Sequence, residues 1–256
     1  MNKGHLAAVT RPLVTLLGLL AVWWVGVKVS GVPSYLLPDP QSVAVALWQQ
    51  RSLLMWSTVT TLSETVLGLV IGTLLGSVSA LGMVFSPALQ RWLMPLVLLS
   101  QAIPVFALAP LLVLWFGFGM ASKVVMAVLV IFFPVTAAFS DGLRRTELGW
   151  LDLARTMNAS PAAILRHVRL PAALPAFGSG LRVATAIAPI GAVVGEWVGA
   201  SAGLGYVMLN ANARIQTDVM FAALFVLAMM AILLWVIVDR VLKRVLYWAP
   251  DTVAAT

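Results

Sequence analysis

Cysteine is absent from the 256 residues, which excludes disulfides, thiolate metal sites and cysteine nucleophiles and leaves the redox compartment unreadable. Charge is scarce: Asp, Glu, Lys and Arg make up 10% of the chain, where a soluble domain carries about 25%. The two histidines, His5 and His167, lie far apart with no neighbouring His or Cys, so no metal site is assembled. No Gly-Lys dipeptide occurs, hence no G-x-x-x-x-G-K-[ST] loop to cradle phosphates. Apart from Glu64 and Glu196, no carboxylate, His or Ser/Lys pair gathers within the apolar runs, which leaves a membrane-embedded enzyme without its reactive groups.

What is present is apolar. Hydrophobic residues make up 61% of the chain and the mean hydropathy is +1.01. Runs such as 13–29, 66–84, 124–139 and 219–238 approach or reach the ~20 residues that cross a bilayer as helix. We read an all-α membrane protein, a single transmembrane domain over 1–256. About six spans are expected, at 12–29, 57–84, 92–116, 122–140, 176–199 and 219–242. The first is expected to remain as an anchor, because Trp23, Trp24 and Lys28 stand where a signal peptide has its small-residue cleavage site. After it, the proline-rich GVPSYLLPDP leads into an expected surface helix over 41–56.

The net charge of +7 needs no nucleic acid to explain it. An even number of spans puts both termini on one side. If that side is cytoplasmic, Lys3, Arg11, Arg91, Arg144, Arg145, Arg155, Arg166, Arg169, Arg182, Arg240, Lys243 and Arg244 lie inside. Lys28, Arg51, Lys123 and Arg214 then lie outside, the asymmetry of the positive-inside rule.

Gly68, Gly72 and Gly76 leave one helix face without side chains, open to close packing within the chain or to a dimer seam. Pro95, Pro104 and Pro110 each remove a backbone donor, and so either kink the third span or break it beside a solute path. Glu64 either snorkels, pairs with a neighbour or faces that path, and Glu196 either faces it or holds the following loop, GASAGLGY. Asp239, Arg240, Lys243 and Arg244 read as a solvated, headgroup-facing cluster.

Residues 146–175 read as two short cytoplasmic helices. Thr146 caps the first, with Glu147 and Asp152 in its positive early turns and Arg155 at its negative end. It stops near Met157, where Asn158 adopts the left-handed conformation. Ser160 caps the second, Pro161 opens it, and Pro171 ends it. A connection between two spans needs only a few residues. The hairpin is therefore either a docking element or a basic loop resting on anionic lipid.

The order LDLARTMNAS, then ILRHVRLPAALP, resembles the EAA loop of ATP-binding-cassette importer permeases: Glu-Ala-Ala, a glycine four residues on, then Leu-Pro. Asp152, Leu153 and Ala154 match the first element in part, Asn158 stands where the family has glycine, and Leu170 and Pro171 match fully. APLLVLWFGFGMASKVV (109–125) and GEWVGASAGLGY (195–206) are similar to the nitrate, sulfonate and taurine branch of these permeases.

The resemblance implies a multi-pass permease of the bacterial inner membrane, with both termini and a coupling loop over 141–175 in the cytoplasm. Its implied partners are a second copy, two cytoplasmic ATPases that hold the Mg-ATP, a periplasmic or lipid-anchored binding protein, and lipid. The chain itself would hold no cofactor. The coupling residues implied are Asp152, Leu153, Ala154, Arg155, Thr156, Asn158, Ala159 and Ser160. Candidates for the translocation path are Gln101, Pro104, Glu196, Trp197 and Glu64. The branch handles small anions and pyrimidine precursors of thiamine, and the 195–213 stretch is more similar to the latter. Residues 93–116 and 183–200 contain no Lys or Arg for an anion, which favours a flat heterocycle over a sulfonate. An ATP-independent channel or secondary transporter would leave the hairpin unexplained.

Overall fold

The computed structural model describes residues 3–249, the side chains of 3–13 and Leu16 excepted, so the assignments of Lys3, His5 and Arg11 lie outside the described side chains. The elements in order are α1 (Lys3–Ser30), α2 (Pro40–Gln49), α3 (Arg51–Phe85), α4 (Pro87–Ala102), α5 (Val105–Phe116), α6 (Met120–Arg144), α7 (Leu148–Thr156), α8 (Pro161–Ile164), a π-helical turn (Leu165–Arg169), α9 (Leu170–Gly199), α10 (Leu204–Ala213) and α11 (Thr217–Val245). No strand occurs among the described residues.

Four helical stretches are long and apolar enough to cross a membrane: α3, α6, the run Pro161–Gly199, and α11. The expected span 92–116 is instead two helices, α4 and α5, bent by 103° at Ile103 and Pro104, and counts as a fifth span if taken as one. Proline without an N–H, preceded by a residue held extended (Ile103 ψ 123°), accounts for the break. The expected span 12–29 lies in α1, whose described side chains give only the shorter apolar run Leu17–Ser30. The expected surface helix 41–56 is cut short: α2 is capped by Asp39 and ends at Gln49, and Trp56 already belongs to α3. No breaker follows Arg51, so the helix runs on into the span.

α6 lies between α3 and α9, and backbones touch on both sides. A Cβ at Gly72 would meet Ile131 at 2.9 Å, one at Gly76 would meet Thr136 and Val135 at 3.0 and 3.1 Å, and one at Gly68 would overlap Ala127. The glycine face thus packs on α6 of the same chain and is not a seam between copies. On the opposite side, Gly191 lies so close to Ala127 that a Cβ would sit 2.7 Å from its Cα. In lipid, where apolar burial drives association weakly, such close contact between small residues holds helices together.

The hairpin departs from expectation at both ends. Thr146 is not the cap; its hydroxyl donates to the Leu143 carbonyl (3.2 Å), and α7 begins after Glu147. Nor does the second helix stop before Pro171. From Pro161 the chain stays helical for 39 residues. The π-helical turn, closed by Leu170 N–H onto the Leu165 carbonyl, accommodates Pro171 without ending the rod, and Pro175 is carried within α9.

Candidate functional site

At one end of the bundle, α7 buries Leu151 and Ala154 and leaves Leu148, Trp150, Leu153 and Met157 exposed. Trp150, Leu153 and Met157 are spaced three and four apart, which places them on one face. They line an apolar groove of about 570 Å³ with His167, Pro171 and Trp248. Asp152 and Arg155 form an exposed pair at 3.0 Å, an arrangement that stabilises a surface helix little. Asn158 has φ 56° as expected, and the turn around it is a Schellman motif. Its own N–H donates to the Arg155 carbonyl (2.9 Å), and Ala159 N–H reaches back to the Ala154 carbonyl (3.0 Å). Ser160 then accepts from Ala163 N–H at 3.2 Å, with Pro161 at the first helical position. Asp152 to Ser160 is therefore not one helix. It is the second half of α7 and a tightly bonded turn.

At the far end of the spans a second constellation joins four elements. The Glu196 side chain, on α9, is fully buried and both oxygens are engaged. Oε1 accepts from the Thr61 hydroxyl of α3 (2.6 Å), and Oε2 accepts from Gly205 N–H (2.5 Å). Thr61 Oγ1 in turn accepts from Leu204 N–H at 2.8 Å. These are the first two amides of α10, whose own N-cap is Gly203 and supplies no side chain. Its cap is contributed from two distant helices. Gly203 has φ 111°, and a Cβ there would overlap the Glu196 carboxyl. One turn along α3 from Thr61, the buried Glu64 carboxylate makes no hydrogen bond and faces Lys123 of α6 at 3.6 Å. Lys123, placed outside by the charge count, is itself 6% exposed.

The structure thus brings Glu64 and Glu196 together in the interior. Trp197 is 49% exposed, on a face of α9 that also leaves Val183 and Ile190 uncovered. With Glu196, Phe118, Ser201, Tyr206 and Asn210 it borders a recess of about 440 Å³, whose lining contains no Lys or Arg. Gln101 and Pro104 flank the α4–α5 break, outside that recess.

Three contributors were not singled out from sequence: Thr61, Gly203 and Gly205. Threonine and glycine are ordinary in membrane helices, and only the partner across the fold gives these positions their role. Asp239 is a correction. It was read with a headgroup-facing cluster, yet it accepts from Arg182 Nε of α9 at 2.7 Å and from Lys243 at 2.9 Å. The sequence separation of 57 residues hid that pairing.

Residues 68–246 match the family described as binding-protein-dependent transport system inner membrane component. A probable ABC transporter permease protein of Haemophilus influenzae is 54% identical over 93% of this chain and 97% of its own length. The formylaminopyrimidine transport permease ThiX of Halalkalibacterium halodurans is 37% identical, covering 93% and 95%. The taurine transport permease TauC of Escherichia coli is 31% identical, covering 94% and 90%. Among solved structures, an inward-facing form of the MetNI methionine ABC transporter matches with TM-score 0.67 at 23% identity, over 77% of this chain and 98% of that one, which speaks to the fold. The chain belongs to the binding-protein-dependent transport inner membrane family and is a permease subunit of an ABC importer of the sulfonate, taurine and thiamine-precursor branch, a membrane component without catalysis or cofactor of its own, driven by a separate ATPase.

Proposed function

We propose that this permease carries a pyrimidine precursor of thiamine inward. The observation that carries the reading is the recess at Trp197. The aromatic rings of Phe118, Trp197 and Tyr206 border it, the Asn210 amide and the Glu196 carboxyl add polar groups, and its lining holds no Lys or Arg. A sulfonate or nitrate path would place Arg or Lys at membrane depth. A flat, uncharged heterocycle can stack on the rings and hydrogen-bond to the amide. The ThiX relative, at 37% identity against 31% for TauC, supports the same ranking.

In this reading two copies of the chain sit in the bacterial inner membrane on two cytoplasmic ATPases, with their termini on the ATPase side, and receive solute from an external binding protein. Asp152 to Ser160 docks on the ATPase. The exposed Leu153 and Met157 supply the apolar contact, and the capped Asn158 turn keeps the element stiff enough to transmit closure. Trp197, Glu196, Gln101 and Pro104 border the solute path, with Glu64 behind it. The test is growth of a thiamine-pyrimidine auxotroph lacking this gene on limiting precursor, beside growth on an aliphatic sulfonate as sole sulfur source. Lost precursor rescue with normal sulfonate growth is expected. The opposite pattern assigns the chain to sulfonate import.

A further inference from the structure

The buried constellation around Glu196 does more than fill the interior. Buried ionisable groups at membrane depth are costly, and a chain with nine acidic residues places two of them here. Their bonds are distributed unevenly. Glu196 and Thr61 are both engaged: besides the local contact of the Thr61 hydroxyl with the Ser57 carbonyl (3.1 Å), their bonds end on the start of α10 or tie α3 to α9. Gly203 and Gly205 are the positions where α10 comes closest, since a Cβ on either would strike the Glu196 carboxyl. Glu64 and Lys123 add α6 to the same point. Among the described residues no side-chain hydrogen bond joins α4 or α5 to it: α5 meets α9 by apolar packing of Val113 on Gly199, and the α4–α5 break leaves Gln101, Ala102 and Ile103 exposed.

We propose that Thr61 and Glu196 are positioning residues that hold loop 200–203 and α10 against α3 and α9 through the whole transport cycle. The outer mouth then opens by movement of this block as a unit, not by movement of the loop. Glu196 lines the recess at Trp197, but its two oxygens are spent on Thr61 and Gly205, so its part is to hold the mouth and not to bind the solute. Releasing Gly205 would leave a buried amide without a partner.

The absence of cysteine makes the test direct, because Ser201→Cys introduces a single exposed thiol in the loop. The complex with its ATPase, in nanodiscs, is labelled with a membrane-impermeant maleimide, and ATP hydrolysis is measured without solute. In the Ser201→Cys parent, labelling should be the same with and without ATP. Thr61→Val and Glu196→Gln should each accelerate it about tenfold, the shift that follows from one lost hydrogen bond to a charged group. Solute-free hydrolysis should rise with it. Thr61→Ser keeps the hydroxyl and should behave as the parent.

A lower melting temperature with unchanged labelling and hydrolysis would reduce these residues to structural support and overturn the proposal. So would equal acceleration in the Ser and Val variants. Should Thr61→Val fail to assemble, hydrogen exchange of the unsubstituted complex decides. The Leu204 and Gly205 amides should stay protected in every nucleotide state, and their exchange during turnover refutes the proposal.

Discussion

Replacing Asn158 by valine tests the stiffness of the turn proposed to dock on the ATPase, and the size of the effect can be worked from the backbone. Asn158 sits at φ 56°, where asparagine is among the residues best tolerated and a β-branched residue is an outlier. The left-handed conformation costs a side chain with a full Cβ about 1–2 kcal/mol. Release of that strain opens the turn and breaks two bonds together, Asn158 N–H to Arg155 and Ala159 N–H to Ala154. An added cost of about 1–2 kcal/mol raises the open population about five- to thirtyfold. Hydrogen exchange across residues 156–160 reads this directly, because both amides lose their acceptors only in the open form. Asn158→Val should accelerate exchange by that factor and weaken co-purification of the ATPase, whereas Asn158→Gly should leave both near the parent. If glycine and valine are equally damaging, the side chain of Asn158 acts by contact and the cap argument is wrong. If neither changes exchange, the turn is held by its partners and not by its backbone.

Lys123→Met alone should lower the melting temperature of the permease, since it removes the cation that faces the buried Glu64 carboxyl at 3.6 Å. The double variant Glu64→Gln/Lys123→Met should recover most of that loss in a thermal melt, and no recovery would show that the pair does not interact. Gly203→Ala should abolish assembly or lower its yield severely, because the new Cβ needs both positive φ and the space of the Glu196 carboxyl. Normal yield would place the loop elsewhere. Ile215 closes α10 at φ 58°, with Gln216 N–H on the Ala211 carbonyl at 2.8 Å. Relief of about 1–2 kcal/mol of strain by Ile215→Gly is partly offset by about 0.4–1 kcal/mol of added freedom in the unfolded chain. The net gain should appear as a modest rise in melting temperature, and a fall would indicate that the Ile215 side chain is buried by a partner.

The sequence made the local signals legible and the long-range ones illegible. Asn158, Ser160 and Pro161 could be read because caps and turns are decided by residues two or three apart. The glycine face of α3 was visible as a pattern, but whether it met α6 or a second copy depended on a partner some sixty residues away, Ala127 for Gly68. Thr61 and Glu196 are separated by 135 residues, and nothing local distinguishes that threonine from its neighbours Thr58, Thr60 and Thr65. Pro171 misled for the opposite reason. A proline predicts an end by removing one bond, and here a single wider turn absorbed the loss.

That wider turn also fixes a register. A π-helical turn is an α-helix carrying one extra residue, and each residue of regular α-helix turns the rod by about 100°. In the wider turn about five residues cover the rotation that four cover in an α-helix, so the extra residue is absorbed there and Leu170 to Gly199 keeps its orientation relative to the hairpin. Deleting one residue within 165–169 should restore regular α-helix and leave Gly191 on Ala127 and Glu196 on Thr61. A deletion beyond the turn, within 176–188, has no such slack: it swings the upper rod by about 100° and carries both contacts away together. Over 39 residues, about 58 Å at 1.5 Å each, the rod makes such a change of length at one end a defect at the other face of the membrane.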